Sequence, residues 1–177
     1  MASAITHFIV GASLAFPALE SKTTRSVLPG WVIPASAGLL GVAPDLDTFV
    51  MRALGIPFSG FYGHRGFFHS PFFLILFCAM LAGIIARRRW FWLALLWAMG
   101  AVTHPLLDAL TDGGSGVMLL FPFSEARVFL PWRPIHVSPM TISRFFEKAG
   151  YILWSELPFC MASAGVGAIG LMMRRRR

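Results

Sequence analysis

Acidic residues are scarce in this chain. Eight aspartates and glutamates stand against fifteen lysines and arginines, and the four aspartates, Asp45, Asp47, Asp108 and Asp112, fall in two short runs. Cysteine is nearly absent as well. Cys78 and Cys160 each lie in an apolar run with no Cys-x-x-Cys spacing, which excludes a disulfide framework and a thiolate metal site. Charged residues of any sign make up 13% of the chain and hydrophobic ones 56%, with a mean hydropathy of +0.69. That composition excludes an ordinary soluble domain and suits one small helical domain in a bilayer, spanning residues 1–177. The formal charge is +7 and the pI about 10.7. In a soluble protein these values would point to nucleic acid. Here the basic residues bunch at Lys22 and Arg25, Arg87–Arg89 and Arg174–Arg177, as membrane orientation requires, so the expected partners are membrane lipids and not nucleic acid.

What is present is a series of apolar runs, each roughly 17–21 residues, near the length that crosses a bilayer as a helix. Residues 1–19 carry no charge, and no Lys or Arg precedes Lys22, so this run reads as a retained membrane helix rather than a cleaved leader. Residues 26–44 form a second run, rich in Gly, Ala and Ser. Residues 48–63, with Gly55, Pro57, Gly60 and Gly63, read as an irregular surface loop. Ser70-Pro71 reads as an N-cap with proline at the first helical position, opening a third run that stops at Arg87. Trp90, Trp92 and Trp97, read as interfacial belt and packing, open a fourth that ends at His104 and Asp108. Residues 113–150, rich in Gly, Pro, Phe and Trp, suit a segment lying at the lipid headgroups. Within it Ser138-Pro139 repeats the cap-plus-proline signal, and a helix begun there is expected to break or kink near Pro158 before the last run, 157–173. The expectation is an all-α, polytopic membrane bundle of about five transmembrane helices with an extracytoplasmic interfacial segment. If those helices alternate, the three basic clusters share the cytoplasmic side and the aspartates and most histidines share the other.

Carboxylates and imidazoles in so apolar a chain are costly to bury unless they are paired or hold a cation. His104, Asp108 and Asp112 are spaced by four and would share one helix face. Their alternative role is helix–helix hydrogen bonding, with His104 on a backbone carbonyl. Asp45-Leu46-Asp47 projects two carboxylates able to bridge cations, although the same sequence also makes a solvated turn. His64 and His69 join one site if the intervening loop folds back. His7 fits either packing or ligation. Taken together, His7, Asp45, Asp47, His64, His69, His104 and Asp108 form a predicted metal site. Mixed nitrogen and oxygen donors favour zinc, with manganese or iron as alternatives, and the donors exceed what one ion needs. Two ions would suit hydrolysis of a phosphoester or other ester, with Asp45 and Asp47 at the chemistry. Arg65 fits phosphate binding or a charge pair with Asp45 or Asp47. Asp112, His136 and Glu156 keep undefined roles; His136 reads as interfacial. A non-catalytic metal-binding or metal-transporting protein is the competing reading.

These residues also carry a resemblance. Thr6-His7, Pro44-Asp45-Leu46-Asp47, His64-Arg65-Gly66 with His69-Ser70, and His104-Pro105-Leu106-Leu107-Asp108 with Thr111, followed by Leu120-Phe121-Pro122-Phe123-Ser124, resemble the YdjM-like family of inner-membrane metal-dependent hydrolases, also described as LexA-binding. The motifs occur in order over about residues 4–136. The resemblance implies metal dependence, hydrolysis and a bacterial inner-membrane location. The LexA partner is not carried over, because it requires cytoplasmic surface that the expected topology lacks.

Overall fold

The computed structural model describes residues 1–20, 27–139 and 141–176, so Lys22, Arg25 and Arg177 of the basic clusters lie outside the described residues. Within them the chain is helical. Five helices have eleven residues or more: α1 (Ala4–Leu14), α2 (Val32–Val42), α4 (Pro71–Ala86), α5 (Trp90–Ala109) and α6 (Ile142–Arg175); a short helix, α3 (Asp47–Leu54), lies between α2 and α4. Backbone pairings of Thr111 with Ile135 and of Val117 with Val128 are isolated bridges inside the 110–139 segment.

The helix signals act locally as side-chain chemistry dictates. Ser3 Oγ accepts from the Thr6 N–H (3.3 Å) to open α1, and Ser70 Oγ accepts from the Phe73 N–H (3.2 Å) to open α4, with Pro71 at the first helical position where no N–H is needed. Ser138-Pro139 does not open a helix. The Ser138 N–H donates to the Met1 carbonyl (2.9 Å), and α6 begins at Ile142. Nor does Pro158 break α6, which runs through it for 34 residues. One missing N–H is a tolerable loss where α6 packs along α1. The expected loop at 48–63 is in part α3, which Gly55 ends in the left-handed region at φ 65°.

The sequence predicts five crossings, whereas among the described residues only α5 and α6 are long and apolar enough by length and composition to span a bilayer. At 1.5 Å per residue, an eleven-residue helix covers roughly 17 Å of a hydrocarbon layer about 30 Å thick. Proline sets the shortfall. Pro17 falls in the 3₁₀ turn Phe16–Glu20 after α1, and Pro44 in the 3₁₀ turn Ala43–Leu46 after α2.

The core joins α2, α4 and α5 through Ile33, Ala37, Leu74, Cys78, Leu93 and Trp97, whose indole N–H donates to Ser36 Oγ (2.8 Å). Outside, the surface is apolar: Ile75, Met80 and Ile84 on α4, Phe91 and Met99 on α5, and Met161, Ile169 and Met172 on α6 are exposed. The interior meanwhile holds charge, since His7, Arg65, His69, His104, Asp108 and Glu156 are at most 1% exposed. A greasy exterior around an ionisable interior is the arrangement of a chain solvated by lipid.

Helix approach depends on small residues. A Cβ on Gly100 would stand 2.9 Å from the Ala37 carbonyl oxygen and 3.2 Å from that of Gly11. Gly100→Val should therefore lower stability by about 1–3 kcal/mol, seen as an earlier melt in detergent. Gly83→Ala, whose Cβ meets nothing within 4 Å, should melt no earlier than wild type. Equal melts for the two variants would show that the three-helix crossing is loosely packed.

The described arginines of the Arg87–Arg89 and C-terminal clusters gather at one end. Val27, five residues before α2, lines a cavity of about 380 Å³ with Arg88 and Arg89. Gly167 and Gly170 of α6 lie against Ser13 and Pro17, so Arg174–Arg176 point past the same end. The polar site lies at the other end of the bundle, where α1 begins, α2 finishes and α5 closes.

Candidate metal centre

Each polar side chain is delivered by an element end. His7 sits one turn into α1; Asp45 and Asp47 occupy the 3₁₀-to-helix junction after α2; His69 lies in the 3₁₀ turn Phe67–His69 that feeds α4; His104 and Asp108 are in the last turns of α5. His64 arrives on the 55–66 loop, which does fold back. Arg127 holds it there, donating to the carbonyls of His64 and Gly60 (2.8 Å to Gly60) and to Ser115 Oγ (3.0 Å).

Two groups of potential ligand atoms result, each with its atoms within 4.8 Å of one another: Asp45, His69, His104 and Asp108, and Asp47, His64 and His69. His69 joins them, its Nε2 lying 3.6 Å from Asp45 Oδ1 and its Nδ1 3.2 Å from Asp47 Oδ2. His104 Nε2 is 3.4 Å from Asp45 Oδ1 and 3.8 Å from Asp108 Oδ2. His7 stacks on His104 with ring centroids 3.8 Å apart and reaches Asp108 Oδ1 at 3.4 Å, beside the first group rather than within it.

The hydrogen bonds decide what these contacts are. His104 Nδ1 lies 2.7 Å from the Gly41 carbonyl oxygen, which only accepts, so the proton is on Nδ1 and Nε2 presents a lone pair toward the Asp45 carboxylate. Gly41 is required for that contact, because a Cβ there would lie 2.8 Å from the His7 carbonyl oxygen. His64 Nδ1 lies 3.0 Å from Asp47 Oδ1, leaving its Nε2 bare. Among the described residues, nine buried side-chain nitrogens and oxygens lack a hydrogen-bond partner, and all nine belong to His7, Asp45, Asp47, His64, His69 and His104. His104 Nε2, an acceptor with the proton on Nδ1, faces the carboxylate oxygens of Asp45 and Asp108 at 3.4 and 3.8 Å, and buried acceptors so placed repel unless a cation or proton lies between them. Donors sharing a tetrahedral ion at about 2.1 Å are themselves about 3.4 Å apart. The residues fit divalent metal, in a four-donor group and a three-donor group. Burial alone would raise the Asp45 and Asp47 carboxyls, but His104 and His69 beside Asp45, and His64 and His69 beside Asp47, more than offset it and hold both below the ordinary carboxylate range. The same carboxylates outweigh the burial of His69 and lift it to about 9.

Arg65 behaves otherwise than expected. Its partner is neither Asp45 nor Asp47. Nε donates to Asp108 Oδ2 (3.1 Å), one terminal nitrogen to the Gly113 carbonyl (2.9 Å) and the other to Thr111 Oγ1 (3.0 Å). Those bonds hold a non-glycine residue at φ 63° and fix the Asp108 carboxylate from behind. Asp108 Oδ1 also accepts from the Ala2 N–H (2.7 Å). Glu156 completes the scaffold, accepting from the Ser3 N–H and Oγ (both 2.5 Å) and from Thr6 Oγ1 (2.8 Å). Asp112 leaves the helix face it was expected to share, because α5 ends at Ala109. Its carboxylate instead binds His136 Nδ1 (2.7 Å) and the Val137 N–H (2.9 Å), and these bonds outweigh its slight burial and lower its pKa. His136 stacks on Tyr151, apart from the cluster. The Gly41 carbonyl, the Ala2 amide and the Thr111 hydroxyl were not legible as supports; only the i+3 spacing of Thr111 from Asp108 hinted at one.

The family described as YdjM inner membrane protein matches residues 1–175, nearly the whole chain and every residue of the cluster. The chain belongs to this family. It is also 33% identical, over 190 aligned residues covering all of both chains, to a protein of Escherichia coli (strain K12) named inner membrane protein YbcI. No solved structure matches it significantly. A bacterial inner-membrane location follows for this YdjM-family chain, in keeping with its apolar exterior.

Proposed function

We propose that the protein is a metal-dependent hydrolase acting on a phosphoester or other ester at the membrane interface. The three-donor group of Asp47, His64 and His69 carries this reading. Three protein donors leave a coordination position open, as catalytic sites do, whereas the deeper group of four is closed, as structural sites are. The three-donor group also borders open space: Asp47 lines one cavity and His64 another. A divalent ion held there supplies Lewis acidity toward an ester oxygen. In the reaction a water oxygen bonds to phosphorus or acyl carbon, the ester bond to oxygen breaks, and the leaving alkoxide takes up the proton that water gives up. Asp45 and Asp47 are the carboxylates that would take that proton in transit, and Arg65 serves by orienting Asp108.

Zinc suits the two imidazoles and one carboxylate of the open group best, with manganese or iron as alternatives. The site faces the extracytoplasmic side in this reading, since the arginine end is the one retained in the cytoplasm. A reporter fused at the C-terminus should read as cytoplasmic and one inserted at Glu125 as external; the reverse pattern would invert the orientation. The reading is tested on purified protein loaded with zinc or manganese, assayed against p-nitrophenyl phosphate, bis-p-nitrophenyl phosphate and p-nitrophenyl acetate. Turnover of at least one, abolished by chelator and restored by metal, is expected. Stoichiometric metal with no turnover of any ester would instead establish the metal-binding or metal-transporting reading. Against transport stands the absence, among the described residues, of any second ligand group at the arginine end.

A further inference from the structure

The two cavities beside the open ligand group differ in kind. One, of about 290 Å³, is walled by Leu46, Val50, Met51, Tyr62 and Phe73 and is apolar except where Asp47 enters it. Two of its wall residues, Leu46 and Val50, are themselves exposed, and Phe49 and Leu54 of the adjoining α3 are exposed as well, a surface suited to lipid. The other, of about 600 Å³, is lined by His64, Arg65, Ser59, Ser115 and Lys148, with no carboxylate in its wall. Lys148 is exposed and makes no ion pair with a described residue. The ligand group stands between the two spaces, because Asp47 of the first and His64 of the second are hydrogen-bonded at 3.0 Å. A molecule that fills both must cross the ligand group, with an apolar part on one side and an anionic part on the other.

We propose that the substrate is an anionic phospholipid, its hydrocarbon chain seated in the apolar cavity under α3 and its phosphate turned toward Lys148. This rests on the hydrolase reading and specifies what that site takes. Charge selects the head, since Lys148 is exposed in a wall without carboxylates while Arg65 is already held by Asp108, and a net anionic head gains more there than a zwitterionic or cationic one. The chain is selected by the near absence of polar wall, which leaves a sugar or peptide unsatisfied. An uncharged acylglycerol fits the first cavity but gains nothing from the second.

The test uses the full-length, metal-loaded protein in phosphatidylcholine vesicles containing phosphatidic acid with a diazirine on one acyl chain. After irradiation, adducts are mapped by mass spectrometry. In wild type they should fall within residues 46–56 and 68–77. Val50→Trp, which fills the cavity from a half-exposed position, should reduce those adducts at least fivefold, and so should Leu46→Trp, should either variant fold poorly. Bound metal and melting temperature certify each protein. Ile84→Trp, on the lipid-facing side of α4, should change nothing. Lys148→Glu should lower capture of phosphatidic acid but not of the matching photoreactive phosphatidylcholine. Adducts spread over the apolar exterior and indifferent to Val50→Trp and Leu46→Trp would overturn the proposal, even with p-nitrophenyl esters hydrolysed. Adducts in the cavity that follow these variants, with no ester turned over, would support the lipid site and end the hydrolase reading alone.

Discussion

Asp108→Ala should lose bound metal and melt well below chelator-treated wild type. The two treatments differ in what they leave behind. Chelator removes the cation but keeps the Arg65–Asp108 pair, whereas the substitution removes a ligand and also strands a guanidinium that is 1% exposed. An unpaired buried charge costs about 3–5 kcal/mol, which for a chain of this size is roughly 10 °C in melting temperature. Metal adds stability to the folded state alone by mass action, so wild type should melt highest, chelated wild type lower, and Asp108→Ala lowest whether or not chelator is present. The measurements are elemental analysis and thermal melts in one detergent. Full metal retention by Asp108→Ala would remove it from the ligand set, and a melt equal to that of the chelated wild type would show that Arg65 does not depend on it.

Asp45→Asn should give the opposite balance, with metal affinity lowered roughly a hundredfold or more and little loss of stability once metal is absent. Both Asp45 oxygens lack any hydrogen bond within the protein. Removing their charge therefore orphans nothing, and the new amide can donate to the bare Nε2 of His104, 3.4 Å from Oδ1. Melts of Asp45→Asn and wild type in excess chelator should agree within about 2 °C, consistent with a surface-like cost under about 1 kcal/mol, while titration with zinc separates them. Hydrolysis, where wild type shows it, should fall with the metal. If Asp45→Asn binds zinc as wild type does, the first ligand group is an ion-pair network and not a metal site.

The difference between these two aspartates could not be read from the chain. Both stand in short acidic runs beside apolar sequence, and both read as metal ligands, Asp45 at the chemistry as well. Asp108, one of the potential ligands, also anchors Arg65 and the Ala2 amide, whereas both carboxylate oxygens of Asp45 are without a hydrogen bond. Arg65 was misplaced for the same reason: its neighbours in sequence are His64 and Gly66, and its partners are forty-three to forty-eight residues away. Helix lengths were over-read where hydropathy continues through a proline. Pro17 and Pro44 are compatible with an apolar run and fall in the 3₁₀ turns that follow α1 and α2, which stop at eleven residues. Pro158 shows the converse, since a long helix packed along a neighbour absorbed a break that the sequence alone suggested.

What the sequence determined by itself is what depends on composition and short spacing: helical class, a chain built for lipid, the cap at Ser70, basic clusters on alternate connections, and a polar set too costly to bury unless paired or holding a cation. Tertiary structure decided everything that depends on which atoms face which. It divided one predicted cluster into a group of four and a group of three joined at His69, sent Asp112 to His136 and set Arg65 behind Asp108. It also placed an apolar cavity and a cationic one on adjacent ligands. The reason is physical: burial cost is a property of residue type, but a lone pair finds its partner only after α1, α2, α4 and α5 have packed and brought residues 7, 45, 69 and 104 within a few ångströms.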